Sequence, residues 1–275
     1  FLAFNRSIML ELESRIPSSV RCKTFHGFGF GALRREFGQL KVVEDKERTM
    51  LREEKRFSNR SSKQKAASVK LAGLAKANLL PNSSDPDVAM GELLRLLDSM
   101  WIGDFELDEE RAQVVEMVLH LLDRGKDVRG CGNSISFDDM VWLPAILNLS
   151  LYRVDRLFAD EVQDASPCQH WLIEHGIKAS GRLCAIGDDR QSLYKFRGAD
   201  EHSMQRLEQR FHAKLLPLSI TYRCPKKVVE VVKPIVSDLE AAPNAPDGIV
   251  EDATVNRMLA QVRPGDFVLS RTNAP

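Results

Sequence analysis

No excess of charge draws this chain toward a polyanion: 39 Lys and Arg stand against 39 Asp and Glu. Any affinity for nucleic acid is therefore local and owes nothing to the overall field. No run of about 18 apolar residues is present for a membrane-crossing helix, and no charged-then-apolar leader opens the sequence. The expectation is a soluble, intracellular protein with no membrane partner. Cysteine is sparse and unpatterned. Cys22, Cys131, Cys168, Cys184 and Cys224 are odd in number and contain no Cys-x-x-Cys pair, which excludes a disulfide framework and a zinc site of the usual spacing. Internal repeats and low-complexity tracts are also missing. What is present is 275 residues, 43% of them hydrophobic, enough for two globular domains.

The most informative stretch runs from Leu157 to Asp164. An apolar strand, Leu157-Phe158-Ala159, delivers the adjacent carboxylates Asp160 and Glu161 into a turn. Behind them Ser166 suits a helix cap, Pro167 its first position and Gln169 the reciprocal half of a capping box. Acids at the carboxyl end of a buried strand, ahead of a helix, lie where open α/β sheets bind ligands. Two further units repeat the pattern. Arg182 to Ile186 leads into a loop containing Asp188, Asp189, Gln191, Tyr194, Lys195, Phe196 and Arg197, and Leu216 to Ile220 ends in Thr221-Tyr222-Arg223 before Pro225.

These residues resemble the UvrD/Rep-type superfamily 1 DNA helicases. Asp160-Glu161-Val162-Gln163-Asp164 matches that family's motif II and Gly187 to Ala199 its motif III, while Thr221-Tyr222-Arg223 resembles the core of motif IV. Ala3-Phe4-Asn5-Arg6 is similar to motif Ia and Thr24-Phe25-His26-Gly27 to motif Ib. The segments Ser136 to Met140 and Val268 to Ala274 also have family counterparts, in the family's order.

The resemblance implies an α/β chain with a RecA-like P-loop NTPase fold, a parallel sheet, a helical insertion subdomain and the start of a second RecA-like domain. Residues 1–38 and 134–212 would form a partial ATPase domain, 39–133 the insertion, and 213–275 the opening of the second domain. It also implies ATP and Mg²⁺ as cofactors, with single-stranded DNA and single-strand/duplex junctions as partners. Asp160 would hold Mg²⁺, Glu161 would polarise the attacking water, and Gln191 would address the γ-phosphate or that water. Arg223 would stabilise the transferring phosphoryl group, and Tyr222 would stack on adenine. Phe4, Asn5, Phe25, His26, Tyr194, Phe196 and Arg197 would line the DNA strand, with Phe196 standing where the family usually has Trp. The activity implied is 3′-to-5′ translocation and unwinding in repair, replication or recombination, in the cytoplasm at the nucleoid, or in host cytoplasm if the source is viral.

A further departure from the family concerns the phosphate loop. No Gly-x-x-x-x-Gly-Lys-Ser/Thr loop occurs in these residues, although such a loop holds the triphosphate. The family places it just upstream of motif Ia, so the residues read as a fragment with little hydrolytic activity alone. Two alternatives remain open: a non-catalytic DNA-binding relative, or the helicase part of a helicase-nuclease. The acid-free run from Lys55 to Lys76 is either a salt-sensitive DNA contact or a solvated helix face.

The remaining expectations concern elements. Helices are expected over Asn5 to Ile16 and Phe25 to Phe37, the latter closed by Gly38. A Ser136-capped helix should carry Asp139 at its capping-box position. In the last 60 or so residues, strands are expected at Leu215 to Ile220 and Asp266 to Ser270, around a helix reaching from Val228 to Leu239.

Overall fold

A computed structural model of the chain describes residues 1–191 and 202–269. Two compact units partition it, Phe1–Ala213 and Lys214–Pro275.

The first unit opens with β1 (Leu2–Ala3), α1 (Arg6–Arg15), β2 (Lys23–Thr24) and α2 (Phe25–Phe37). Asn5 caps α1 by accepting the Ile8 N–H at 2.9 Å. Thr24 caps α2 through Gly27 N–H at 3.0 Å, and Gly38, at φ 74°, ends it. A helical region follows: β3 (Lys41–Val42), α3 (Lys46–Glu53), α4 (Ser62–Ala77), α5 (Pro86–Ser99) and α6 (Asp108–Lys126). Its ends are specified locally. Ser61 and Gln64 form a capping box on α4, and Asp85 with Pro86 opens α5. Asp108, Glu109 and Glu110 in the first turn of α6, with Arg124 and Lys126 in its last, complement the helix dipole.

The chain then returns through β4 (Ser134–Ile135), α7 (Asp139–Ile146), β5 (Val154–Ala159), α8 (Pro167–Gly176), β6 (Ile177–Ala185) and α9 (Ser203–Phe211). β2, β1, β5 and β6 pair in that order as one fully parallel sheet, and β3 pairs with β4 separately. This is the α/β architecture expected, with α8 capped by Ser166 and Gln169 and started by Pro167 as anticipated. One continuous core runs from the sheet (Leu2, Leu157, Ala159) through α2, α7 and α8 (Leu33, Leu143, Ile173) into α4, α5 and α6 (Leu71, Leu93, Val118). The helical region and the sheet layer therefore share a core within this unit.

The contact between α2 and α7 is unusually close. A Cβ placed on Gly29 would lie 2.0 Å from the Met140 carbonyl oxygen, so only glycine allows the two backbones to approach this far. α7 begins at Asp139 with Asp138, not Ser136, at its cap position, and the Asp139 carboxylate makes bonds well beyond its own turn. It accepts the Ser136 N–H at 2.9 Å, and it also pairs with Lys46 at 2.6 Å and Lys76 at 2.7 Å, while Lys76 reaches Glu47 as well. Lys76 lies at the end of the basic run, and its burial withdraws it from any surface patch. Within the same run, Arg56 and Arg60 each approach Glu116 to 3.8 Å, so part of its charge is met by the protein itself.

The second unit holds β7 (Ile220–Thr221), α10 (Lys226–Val232), β8 (Glu240–Ala241) and α11 (Val255–Gln261), with β7 and β8 paired in parallel. Three expectations are corrected here. The strand from Leu215 shrinks to Ile220–Thr221, and Asp266 to Leu269 carries no strand. A strand exists by pairing its N–H and C=O groups, yet among the described residues β7 pairs with β8 alone, and Phe267 is 91% exposed. The long helix stops at Val232: Lys233 keeps helical backbone, but Pro234 has no N–H to continue the ladder.

Candidate functional site

Because the four strands run parallel, their carboxyl ends lie along one edge of the sheet. Register places the motif residues there. Leu2 lies opposite Ala159, Ala3 opposite Thr24, and Ala159 opposite Ala185. Phe4-Asn5, Phe25-His26, Asp160-Glu161 and the Gly187 loop thus emerge side by side from strands far apart in sequence.

The Asp160 N–H donates to the Leu2 carbonyl at 3.1 Å, holding the acidic turn to the neighbouring strand. Glu161 then adopts φ 53°, ψ 38°, a left-handed backbone that L-residues enter only at a cost of roughly 1 kcal/mol. The turn stays in place because Val162 N–H donates to Ile186 at 3.0 Å, and Asp164 N–H closes on the Glu161 carbonyl at 3.1 Å. Strain of this kind concentrates at functional sites, and here it leaves the Glu161 side chain exposed beside half-buried Asp160. Burial, and then the Glu161 charge, push the Asp160 carboxyl above the usual carboxylate range against an opposing backbone hydrogen bond from Glu161. A divalent cation would relieve that repulsion, so the pair fits Mg²⁺ held jointly by one or two carboxylates and by phosphate oxygens. Among the described residues no group of three or more His, Cys, Asp or Glu forms a cage made of protein alone.

Gln163, which the sequence reading gave no role, connects this turn to the next loop. Its Nε2 donates to Glu161 Oε2 at 2.6 Å, and its Oε1 accepts the Asp188 N–H at 3.2 Å. Asp188 in turn accepts from Gln191 Nε2 at 2.7 Å, leaving Gln191 exposed on a short helical turn. The signal was present in the motif II match, but nothing about a lone glutamine distinguishes a buried bridge from a surface residue. Tyr194, Phe196 and Arg197 lie outside the described residues.

The residues assigned to DNA divide. Phe4 is half-buried and Asn5 exposed, with Asn5 Oδ1 engaged in capping α1. Phe25, expected along the DNA, has its ring fully buried in the core. An amphipathic helix needs an apolar residue at that position, and packing claims it. His26 stacks on Phe137 with ring centroids 3.9 Å apart, and burial pushes its imidazole pKa down to about 4. Phe137, to which the sequence reading gave no role, is 56% exposed and extends this aromatic surface.

In the second unit Tyr222 is 82% exposed and Arg223 is exposed. The Thr221 hydroxyl oxygen accepts the N–H groups of Arg223 and Cys224, each at 3.3 Å, fixing the turn that presents them.

Residues 5–212 match the UvrD/REP helicase N-terminal domain. Among individual proteins, the chain is similar to the ATP-dependent DNA helicase Rep of Escherichia coli, 29% identical over 115 residues, 38% of this chain and 17% of that protein. It is also similar to the ATP-dependent DNA helicase PcrA of Bacillus subtilis, 25% identical over 114 residues, 38% of this chain and 15% of that protein. The similarity to PcrA of Leuconostoc citreum is longer, 24% over 213 residues, 70% of this chain and 28% of that protein. The chain spans less than a third of the length of these relatives. No helix among the described residues is long and apolar enough to cross a membrane.

Proposed function

The chain belongs to the UvrD/REP helicase family, and from that premise we propose that it forms part of an ATP-dependent DNA helicase that moves 3′ to 5′ along single-stranded DNA. The observation carrying this reading is the strained turn that sets exposed Glu161 beside half-buried Asp160 at the carboxyl edge of a parallel sheet. In this reading residues 1–38 and 134–212 are the first RecA-like domain, 39–133 the insertion, and 213 onward the start of the second.

Asp160 would hold Mg²⁺, which would supply neutralisation of the phosphate charge. Glu161 orients the attacking water and accepts its proton. Gln191 hydrogen-bonds the γ-phosphate or that water. Arg223 meets the charge that develops on the transferring phosphoryl group, its planar fork matching phosphate oxygens, and Tyr222 stacks on the adenine ring. Phe4, Asn5 and His26 face single-stranded DNA, together with Tyr194, Phe196 and Arg197 by resemblance. Stacking on aromatic faces is indifferent to sequence, which suits a translocase acting at single-strand/duplex junctions. The setting is DNA repair, replication or recombination, in the cytoplasm at the nucleoid, or in a host's cytoplasm for a viral source.

The test is Glu161→Gln in the full-length protein. DNA-stimulated ATP hydrolysis is expected to vanish while single-stranded DNA binding persists, because the substitution keeps the shape and removes only the proton acceptor. Unchanged turnover would overturn the assignment.

A further inference from the structure

We infer that Gln163 is a positioning residue that fixes the Glu161 carboxylate and ties it mechanically to the loop that begins at Asp188. This rests on the reading of Glu161 given above. Gln163 is 3% exposed, yet both ends of its amide are engaged: Nε2 on Glu161 at 2.6 Å, Oε1 on the Asp188 N–H at 3.2 Å. One planar amide cannot turn to follow one partner without releasing the other, so a shift of Asp188 is transmitted to the glutamate. The fit around it is close. A Cβ on Gly187 would lie 2.6 Å from Gln163 Oε1 and 3.1 Å from its backbone nitrogen, so glycine is what lets the loop descend onto the amide.

The same turn also holds the start of α9. Ser203, fully buried at the start of α9, donates its hydroxyl hydrogen to the Val162 carbonyl and lies 2.7 Å from His170 Nε2. With its own hydrogen committed, the hydroxyl oxygen accepts from His170, which fixes the imidazole with its proton on Nε2. Val162 and Gln163, adjacent in sequence, thereby anchor both Asp188 and Ser203, and between those anchors the sequence carries Tyr194, Phe196 and Arg197.

Gln163→Met keeps the length and apolar bulk of the side chain and removes both hydrogen bonds. In the full-length protein it is expected to lower DNA-stimulated kcat by about tenfold or more, the usual effect of losing a partner that orients a catalytic group. The KM for ATP, the Kd for single-stranded DNA and the thermal midpoint are expected to stay within about twofold or a few degrees. A fall in kcat accompanied by equal losses in KM, DNA affinity and midpoint would make Gln163 a packing residue and overturn the inference. Should Gln163→Met fail to fold, Ser203→Ala decides: the ratio of DNA-stimulated to basal turnover is expected to drop several-fold, and a wild-type ratio overturns the inference. Glu161→Gln separates the two levels. If it abolishes turnover while Gln163→Met and Ser203→Ala behave as wild type, the site stands and the mount falls.

Discussion

Lys76 Nζ lies 2.7 Å from Asp139 Oδ1, and neither side chain reaches solvent. Asp139 also holds Lys46, and Lys76 also holds Glu47, so two buried ammonium groups are neutralised by two carboxylates where α3 and α4 meet α7. The Lys46 and Lys76 charges pull the Asp139 carboxyl below the usual carboxylate range, overcoming the burial that alone would raise it. Asp139→Asn keeps an acceptor for the Ser136 N–H but leaves buried cations short of a counter-charge. Breaking a buried pair from one side costs about 3–5 kcal/mol, and the urea midpoint should fall accordingly. An unfolding free energy within a few tenths of a kcal/mol of wild type would show that the lysines escape to water.

Gly29→Ala places a methyl group where the Met140 carbonyl oxygen now sits, 2.0 Å away, and that oxygen belongs to backbone. The two helices must separate, which overpacking studies put at roughly 1–3 kcal/mol. Gly31, two residues on, faces open space, so Gly31→Ala is the control. It is expected to be neutral or slightly stabilising, since alanine is the better helix former. Equal effects of the two substitutions in thermal unfolding would refute the close-approach account.

Much of this was legible in the sequence because it is written in short-range chemistry. Thr24 and Gly38 bound α2, and Ser166, Pro167 and Gln169 open α8, through hydrogen bonds within three or four residues. The order of apolar strand, acids and helix cap was enough to place Asp160 and Glu161 at a strand end. What sequence could not reveal depends on partners distant along the chain. Lys76 reads as one more member of a basic run until Asp139, 63 positions later, is packed against it. Phe25, placed along the DNA by resemblance, is fully buried in the fold. The strands expected around Leu215 and Phe267 have the right composition, but among the described residues they find no neighbour to pair with.

His26 offers a pH test. Burial holds its imidazole pKa at about 4, against 6.5 in an unfolded chain. Between those values the unfolded state binds a proton that the folded state refuses, so stability rises with pH across this window. The contribution is complete above about pH 6.5, and it is lost as pH falls toward 4, by at most on the order of 3 kcal/mol. His26→Phe keeps an aromatic ring against Phe137 and has no proton to bind. Its urea midpoint is expected to fall less than that of wild type between pH 7 and pH 4.5, and identical slopes would remove His26 as the cause.

Phe137 and His26 also make a prediction about DNA. The stacked pair presents one exposed aromatic face near the start of α2, on the carboxyl side of β2. Base stacking on such a face is worth about 1–3 kcal/mol by alanine substitution. Phe137→Ala in the full-length protein should therefore raise the Kd for single-stranded DNA by roughly fivefold or more, read by fluorescence anisotropy. The loss should be similar for homopolymers of different base, because every base offers a face to stack. It should also persist at high salt, since stacking, unlike a phosphate contact, releases no counterions. A loss that disappears as salt is raised would reassign the face to backbone contact, and unchanged affinity would take Phe137 off the DNA path altogether.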